Sequence, residues 1–268
     1  MLHTLLGQIS PALHQKEKNI TKIAKAVSSG EYDIAVFCEM FLTGYSVRDS
    51  LPRLAESIDG PSVCKISKIA QEHGTHIIFG MPESCGKRRG LVYNSAVLTT
   101  PDGSVKSYRK LYLANFGPFE EKQYFAPGND VCIFHTKIGC IGLMICYDLF
   151  FPELAKSYAL QGADILIDIS ASPSTTRPFF ETALATRAIE TTTFVLYSNL
   201  VGTEHNMVFW GGCQAYSPRG NRITCGKYFE EELVKMDLDL KELDIARRFR
   251  PTLKDTRMDV LDGLRNSF

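Results

Sequence analysis

Between Ile138 and Glu153 the chain reads I-G-C-I-G-L-M-I-C-Y-D-L-F-F-P-E. Ile138 to Ile145 is an eight-residue apolar run, the length of a buried strand and far too short to cross a membrane. Pro152 and Glu153 then read as the first turn of a helix continuing through Leu154, Ala155, Tyr158 and Ala159. Proline suits the first helical position because its missing N–H has no partner there, and glutamate suits the positive end of the dipole. A buried strand feeding directly into a helix is a unit of layered α/β folds. Cys146 leaves the end of that strand, where neighbouring backbone N–H groups would favour the thiolate. The competing reading is that Cys146 is a small buried apolar residue. This stretch alone does not choose between them.

The same alternation runs through both halves. Leu2 to Ile9 predicts a strand, Lys16 to Ser29 a helix with Ile20, Ile23, Ala24 and Val27 on one face, and Ile34 to Cys38 a short strand. Ser62 opens a helix closed by Gly74, and His76 to Phe79 is a strand. Val92–Leu98 and Val105–Tyr108 flank Pro101-Asp102-Gly103 as a hairpin. Leu111 to Asp130 shows no periodicity and reads as a long functional loop. Beyond the central strand come a helix over 152–161, a strand over 165–169, a loop through Ser170-Ala171-Ser172-Pro173, a helix over 178–190 and a strand over 194–198. Phe209–Tyr216 and Arg222–Thr224 flank a second turn, a polar helix spans 239–248, and the tail from Pro251 has little pattern. No flexible linker interrupts the sequence, so residues 1–268 are read as one domain with mixed sheets.

Composition removes several function classes. Lys plus Arg and Asp plus Glu both number 30, so no basic excess offers itself to a phosphate backbone, and nucleic-acid binding is not expected. The N-terminus lacks a signal-peptide pattern and no run approaches a membrane span, so a cytoplasmic protein with no membrane partner is expected. None of the eight cysteines forms a C-x-x-C pair, which favours reduced thiols. His73 and His76 lack acidic or cysteine partners at ligand spacing, so no metal is expected. Neither a G-x-x-x-x-G-K-[ST] nor a strand-linked G-x-G-x-x-G occurs, which argues against a nucleotide-binding module.

Two further polar residues stand at predicted strand ends. Glu39 follows the apolar strand in F-C-E-M-F-L-T-G-Y. Burial there would raise its pKa toward the range of a general base; otherwise it marks the start of an exposed loop. Lys110 ends a hairpin strand in Y-R-K-L-Y-L, and by itself is better explained as a solvated edge lysine. Opening a C–N bond with a thiol requires a nucleophile, a base that takes its proton and returns it to the leaving nitrogen, and a positive group where the carbonyl oxygen becomes anionic. Cys146, Glu39 and Lys110 supply that set.

With these three motifs in order, the chain resembles the nitrilase superfamily of carbon–nitrogen hydrolases over nearly its whole length. Further similar stretches are L-L-G-Q-I-S near the start, E-E-K-Q-Y-F-A-P-G-N-D at 120–130 and F-W-G-G-C-Q-A-Y-S-P-R-G at 209–220. The resemblance implies a four-layer α-β-β-α sandwich that pairs through its helical faces as a homodimer or larger homo-oligomer. It implies Glu39 as general base, Lys110 as stabiliser of the tetrahedral intermediate, and Cys146 as the nucleophile that forms a thioester. The backbone N–H of Tyr147 would share the oxyanion, and Glu121 would be a second active-site glutamate, with Glu120 as the alternative register. No cofactor is implied.

The same likeness places Tyr45, Phe116, Phe119, Phe150, Ser170 and Ser172 around the substrate, although aromatic residues there can equally be packing. Many relatives carry arginine where Phe150 stands, in some gripping a substrate carboxylate, and Arg177 is a candidate replacement. The expected activity is amidase action on a small linear amide with release of ammonia. The alternatives are a carbamoyl-amine or glutamine-amide hydrolase, a nitrilase proper, and a binding module that retains the fold.

Overall fold

Alternation at period two decides which way the strands of the first half face. In the computed structural model, which describes residues 1–86 and 88–265, β1 (Leu2–Gln8), β2 (Ile34–Phe37), β3 (His76–Ser84), β4 (Val92–Thr99) and β5 (Val105–Arg109) lie side by side in that order. Leu6, Ile34, Val36, Ile78, Ala96 and Leu98 belong to one core cluster, whereas Leu5, Ala35, Phe37, Ile77, Phe79 and Val97 belong to another. The second cluster includes the apolar stripes of α1 (Lys16–Val27) and α3 (Pro61–His73), through Ile20, Ile23 and Val27 and through Val63, Ile66 and Ala70. A short α2 (Leu51–Leu54) lies between β2 and α3, and α4 (Glu121–Tyr124) follows β5.

The second half repeats the plan with β6 (Phe134–Thr136), β7 (Gly139–Ile145), β8 (Ile165–Ser170) and β9 (Phe194–Asn199). After them, β10 (Val201–Glu204) and β11 (Met207–Trp210) form a separate two-stranded sheet, while β12 (Gln214–Tyr216) and β13 (Arg222–Cys225) extend the larger one in the order β13-β12-β9-β8-β7-β6. Helices α5 (Pro152–Leu160) and α6 (Arg177–Thr191) pack on this sheet through Leu154, Ala155 and Tyr158 and through Phe180, Leu184 and Ala188. Then β14 (Glu232–Leu238) returns to the first sheet, antiparallel to β1 with Leu238 opposite Leu2. The chain ends with α7 (Lys241–Phe249) and α8 (Met258–Arg265). β4 packs against β7, and β1 and β2 against β9. The layering is therefore helix, sheet, sheet, helix, the expected fold class.

Several expectations need correction. Phe209–Tyr216 is two strands, because Gly211 and Gly212 take φ of 64° and 58° and turn the chain between them. The stretch 111–130 carries α4 rather than being wholly irregular, and the tail from Pro251 contains α8. β3 runs five residues past Phe79, to Ser84, and is paired to β4 from Ile77 onward. No helix among the described residues is long and apolar enough to cross a membrane.

Candidate active site

Because β2 and β3 are parallel and β4 and β5 are each antiparallel to the strand before, β2 and β5 run the same way. Glu39 and Lys110 therefore leave the same end of the first sheet. The parallel strands β7 and β8 bring Cys146 and Ala171 to the matching end of the second sheet. Carboxyl ends of strands are where α/β sheets gather their ligands.

Glu39 is fully buried, which disposes of the exposed-loop reading. One carboxylate oxygen accepts from Asn94 Nδ2 at 2.7 Å and from Lys110 Nζ at 2.9 Å; the other accepts from the Ala171 N–H at 2.7 Å. That last bond ties Glu39 on one sheet to the other sheet. Lys110 is only 1% exposed and is no edge lysine. Its second bond, at 2.8 Å, goes to Glu121 Oε1, which also accepts from Tyr45 OH at 2.8 Å. Glu121 Oε2 accepts from the Ala114 N–H at 3.0 Å. Glu121 is thus the acid that reaches Lys110, while half-exposed Glu120 pairs with Arg48 at 3.5 Å. Burial alone would lower Lys110, but the Glu121 and Glu39 carboxylates outweigh it and hold the ammonium well above its ordinary pKa. Burial raises Glu39, against the pull of Lys110.

Cys146 begins a 3-10 turn over Cys146–Phe150 and takes φ of 53°, a conformation unusual for a residue with a side chain. Asp148 secures that turn. It accepts from the Ile145 N–H at 3.0 Å and Tyr108 OH at 2.7 Å on one oxygen, and from the Tyr112 N–H at 2.9 Å on the other. Complete burial pushes Asp148 up to about 6. The Cys146 thiol is also pushed well up, first by burial and then by Glu39, with Lys110 only partly opposing. The expectation that this position favours the thiolate is therefore corrected: burial holds the thiol in its protonated form, and among the neighbouring charges the Glu39 carboxylate acts on it most strongly.

A cavity of about 230 Å³ opens on Cys146 and is lined by Phe116, Phe119, Tyr147, Phe150 and Ser172. Tyr45 and Ser170 do not line it. Tyr45 gives its hydroxyl to Glu121 and faces a neighbouring hollow, while buried Ser170 donates to Asp168 at 3.0 Å. Arg177 is no substitute cation for the cavity, since its guanidinium stacks 4.6 Å from the Tyr228 ring centre.

Sequence reasoning missed Asn94, Asp148, Asp168 and Glu204. Asp168 interrupts the run I-L-I-D-I-S, and an acid inside a buried strand was a legible signal. Burial raises Asp168 well above the ordinary range, despite the Ser170 hydroxyl beside it. Glu204 accepts from the Tyr45 and Ser46 N–H groups at 3.1 and 2.8 Å and so fixes the segment that carries Tyr45. Among the described residues, no group of three or more His, Cys, Asp or Glu is arranged to hold a metal ion.

Comparison with known proteins agrees with this architecture. A family model described as carbon–nitrogen hydrolase matches residues 6–248. The chain is similar to the omega-amidase NIT2 of Homo sapiens, with 31% identity over 258 residues that cover 91% of each chain. It is also similar to an (R)-stereoselective amidase of a Pseudomonas species, with 31% identity over 248 residues that cover 91% of this chain and 87% of that one. Among solved structures, XC1258 from Xanthomonas campestris, described as a CN-hydrolase superfamily protein with an arsenic adduct in the active site, superposes with a TM-score of 0.87. That match has 25% identity and covers 96% of this chain and 97% of the other.

Proposed function

This chain belongs to the carbon–nitrogen hydrolase family, and we propose that it is an amidase that opens a small linear amide through a thioester on Cys146, releasing ammonia. The observation that carries the reading is the buried network in which Lys110 bridges Glu39 and Glu121 at the strand ends beside Cys146. In the first half-reaction, Cys146 Sγ bonds to the amide carbon as Glu39 takes the thiol proton. The carbonyl oxygen becomes anionic and is held by Lys110 Nζ and the backbone N–H of Tyr147, which lies in the first turn of a 3-10 helix, where N–H groups lack intrahelical partners. Glu39 gives the proton to the nitrogen, the C–N bond breaks, and ammonia leaves. In the second half-reaction, water loses a proton to Glu39 and attacks the thioester; the thiolate departs, recovers that proton, and the carboxylic acid is released. Glu121 serves by holding Lys110 in place. A raised Glu39 and a protonated thiol suit this sequence, since the base must be strong enough to accept the proton from sulfur and weak enough to give it up to nitrogen.

The test is ammonia release from a panel of primary amides and the corresponding nitriles, with Cys146→Ala as the control. Wild-type turnover of amides, abolished in a Cys146→Ala protein with unchanged circular dichroism, is expected, as is an acyl adduct on Cys146 by mass spectrometry. Undiminished turnover by Cys146→Ala would overturn the assignment, and turnover of nitriles alone would replace it with a nitrilase.

A further inference from the structure

The cavity over Cys146 is walled by aromatic rings in continuous contact. Phe116 packs 5.5 Å from Phe119 and 4.9 Å from Tyr147, centre to centre, Tyr147 packs 6.1 Å from Phe150, and Phe150 packs 4.9 Å from buried Phe180. Phe116 and Phe179 are 49% and 64% exposed, although both also line the cavity. Large exposed rings converging on a concave site are a mark of ligand binding rather than of ordinary surface.

The wall offers little to a charged group. Of its three side-chain hydroxyls, those of Ser172 and Thr176 are engaged: Thr176 donates to the Pro173 carbonyl at 2.9 Å, and Ser172 lies 2.7 Å from Thr176 Oγ1 while accepting from Trp210 Nε1 at 3.3 Å; the third, on Tyr147, is a neutral phenol. The cations nearby are engaged too. Arg177 stacks on Tyr228, and Arg187 donates to the Leu149 carbonyl at 2.8 Å and to Glu190 at 2.5 Å. Lys122 faces a different hollow, which shares Tyr147 with this one. Lys110 is bonded to two carboxylates, so the ionised set of Glu39, Lys110 and Glu121 carries one excess negative charge when all three are charged. A carboxylate seated among these rings would lose water without gaining a partner and would meet that charge as well.

From this wall we infer that the acyl group taken by the site is uncharged and apolar: the substrate is a primary amide of a short aryl-alkyl or branched alkyl carboxylic acid. The inference rests on the amidase reading above and narrows it. The volume sets the size. A cavity of about 230 Å³ lies below the roughly 300–1,000 Å³ of sites for drug-sized ligands, so one ring or a comparable alkyl group fills it. Selection is then made by the rings, through burial of the acyl chain, while Cys146 sees only the carboxamide.

The test is steady-state ammonia release by the full chain from 3-phenylpropanamide and 4-methylpentanamide against the half-amide of glutaric acid, which carries a carboxylate at similar reach. Wild-type kcat/KM is expected to favour the apolar amides by about 100-fold, within what loss of apolar contact and an unpaired charge can supply. That difference should lie mainly in KM. Phe179→Arg, at an exposed ring of the mouth, is expected to narrow the ratio at least tenfold by raising turnover of the half-amide; Phe150→Arg should do the same from deeper in the wall. Because Phe150 packs on Phe180, the Phe179 variant decides the question if the Phe150 variant fails to fold. Equal or better use of the half-amide by the wild type would overturn the inference and leave the amidase reading standing. So would a ratio unmoved in a well-folded Phe179→Arg protein. Absence of ammonia from all three amides would overturn both.

Discussion

Gly80 lies directly against the backbone of Glu39. A Cβ placed on it would come within 2.7 Å of the Glu39 Cα and 2.2 Å of the Met40 nitrogen. Neither is the end of a flexible side chain, so the main chain carrying the proposed base would have to move. Gly128 stands in the same relation to Lys110: its Cβ would fall 2.2 Å from the Arg109 carbonyl oxygen, and its N–H bonds the Lys110 carbonyl at 2.8 Å. Gly80→Ala is therefore expected to cost about 1–3 kcal/mol of stability, as overpacked sites do. It should also lower kcat at least tenfold, since Glu39 is held by three short hydrogen bonds. Thermal melts and steady-state kinetics check both. A Gly80→Ala protein with wild-type kcat would show that the close approach has no bearing on the base.

Lys110 divides its hydrogen bonds between two carboxylates, and the two should separate by mutation. Glu121→Gln removes a negative charge that raises Glu39. The Glu39 pKa then falls, so the acid limb of the kcat/KM profile moves to lower pH even as Lys110 is left less firmly held and the maximum drops, by about 100-fold. Tyr45→Phe takes away only one neutral donor from Glu121 and keeps the ring packed on Phe119 and Phe209, so its loss should stay within about tenfold. A Glu121→Gln limb that stays in place or moves upward would contradict the coupling.

The fold and the three principal side chains were legible because each sits where a pattern breaks. Glu39, Lys110 and Cys146 end apolar or alternating strands, and a strand end fixes direction as well as position. Asn94 was hidden for the opposite reason: it lies inside the alternating strand β4, where a polar residue normally faces water, yet here it is buried and donates to Glu39. Asp148 was read only as part of a motif, since nothing local reveals that Tyr108 and Tyr112, some forty residues away, supply its donors. Tyr45 was placed near the substrate by the family resemblance of the motif it ends, but the partner of its hydroxyl depends on where α4 puts Glu121. β14 escaped notice because its exposed positions dilute the alternation, and only pairing with β1 defines it.

The protonated state of Cys146 has a consequence for Glu39→Gln. The Glu39 charge is the second cause, after burial, that holds the thiol up, and Lys110 opposes it. Replacing the carboxylate by an amide lowers the thiol pKa and raises the thiolate fraction at neutral pH, so alkylation of Cys146 by iodoacetamide should become faster. Turnover should nevertheless collapse by at least about 100-fold, because no group remains to carry the proton to the leaving nitrogen. In the wild type, activity should fall as pH drops through the raised Glu39 pKa, since only the carboxylate accepts a proton. Mass-resolved alkylation rates beside ammonia release separate the two effects; slower alkylation in Glu39→Gln would mean that the carboxylate activates the resting thiol instead.

Asp148 gives a prediction about stability. Its folded pKa is about 6, against an ordinary value of 3.8, so between those values the folded protein binds a proton that the unfolded chain has released. Stability from this group is fully present below 3.8 and is lost as pH rises through about 6. The loss between pH 5 and pH 7 is about 1.3 kcal/mol by that linkage. Asp148→Asn removes the titration, so the stability of the wild type minus that of the variant should fall by this amount over the same interval. The variant has its own penalty at every pH: the amide offers one acceptor oxygen to three donors, leaving an N–H of the amide against that of Tyr112 or its equivalent. That mismatch loosens the turn that presents Cys146, and kcat should drop with little change in KM. Urea unfolding at the two pH values measures the stability difference, and a difference that does not change between them would place the Asp148 pKa back in the ordinary range.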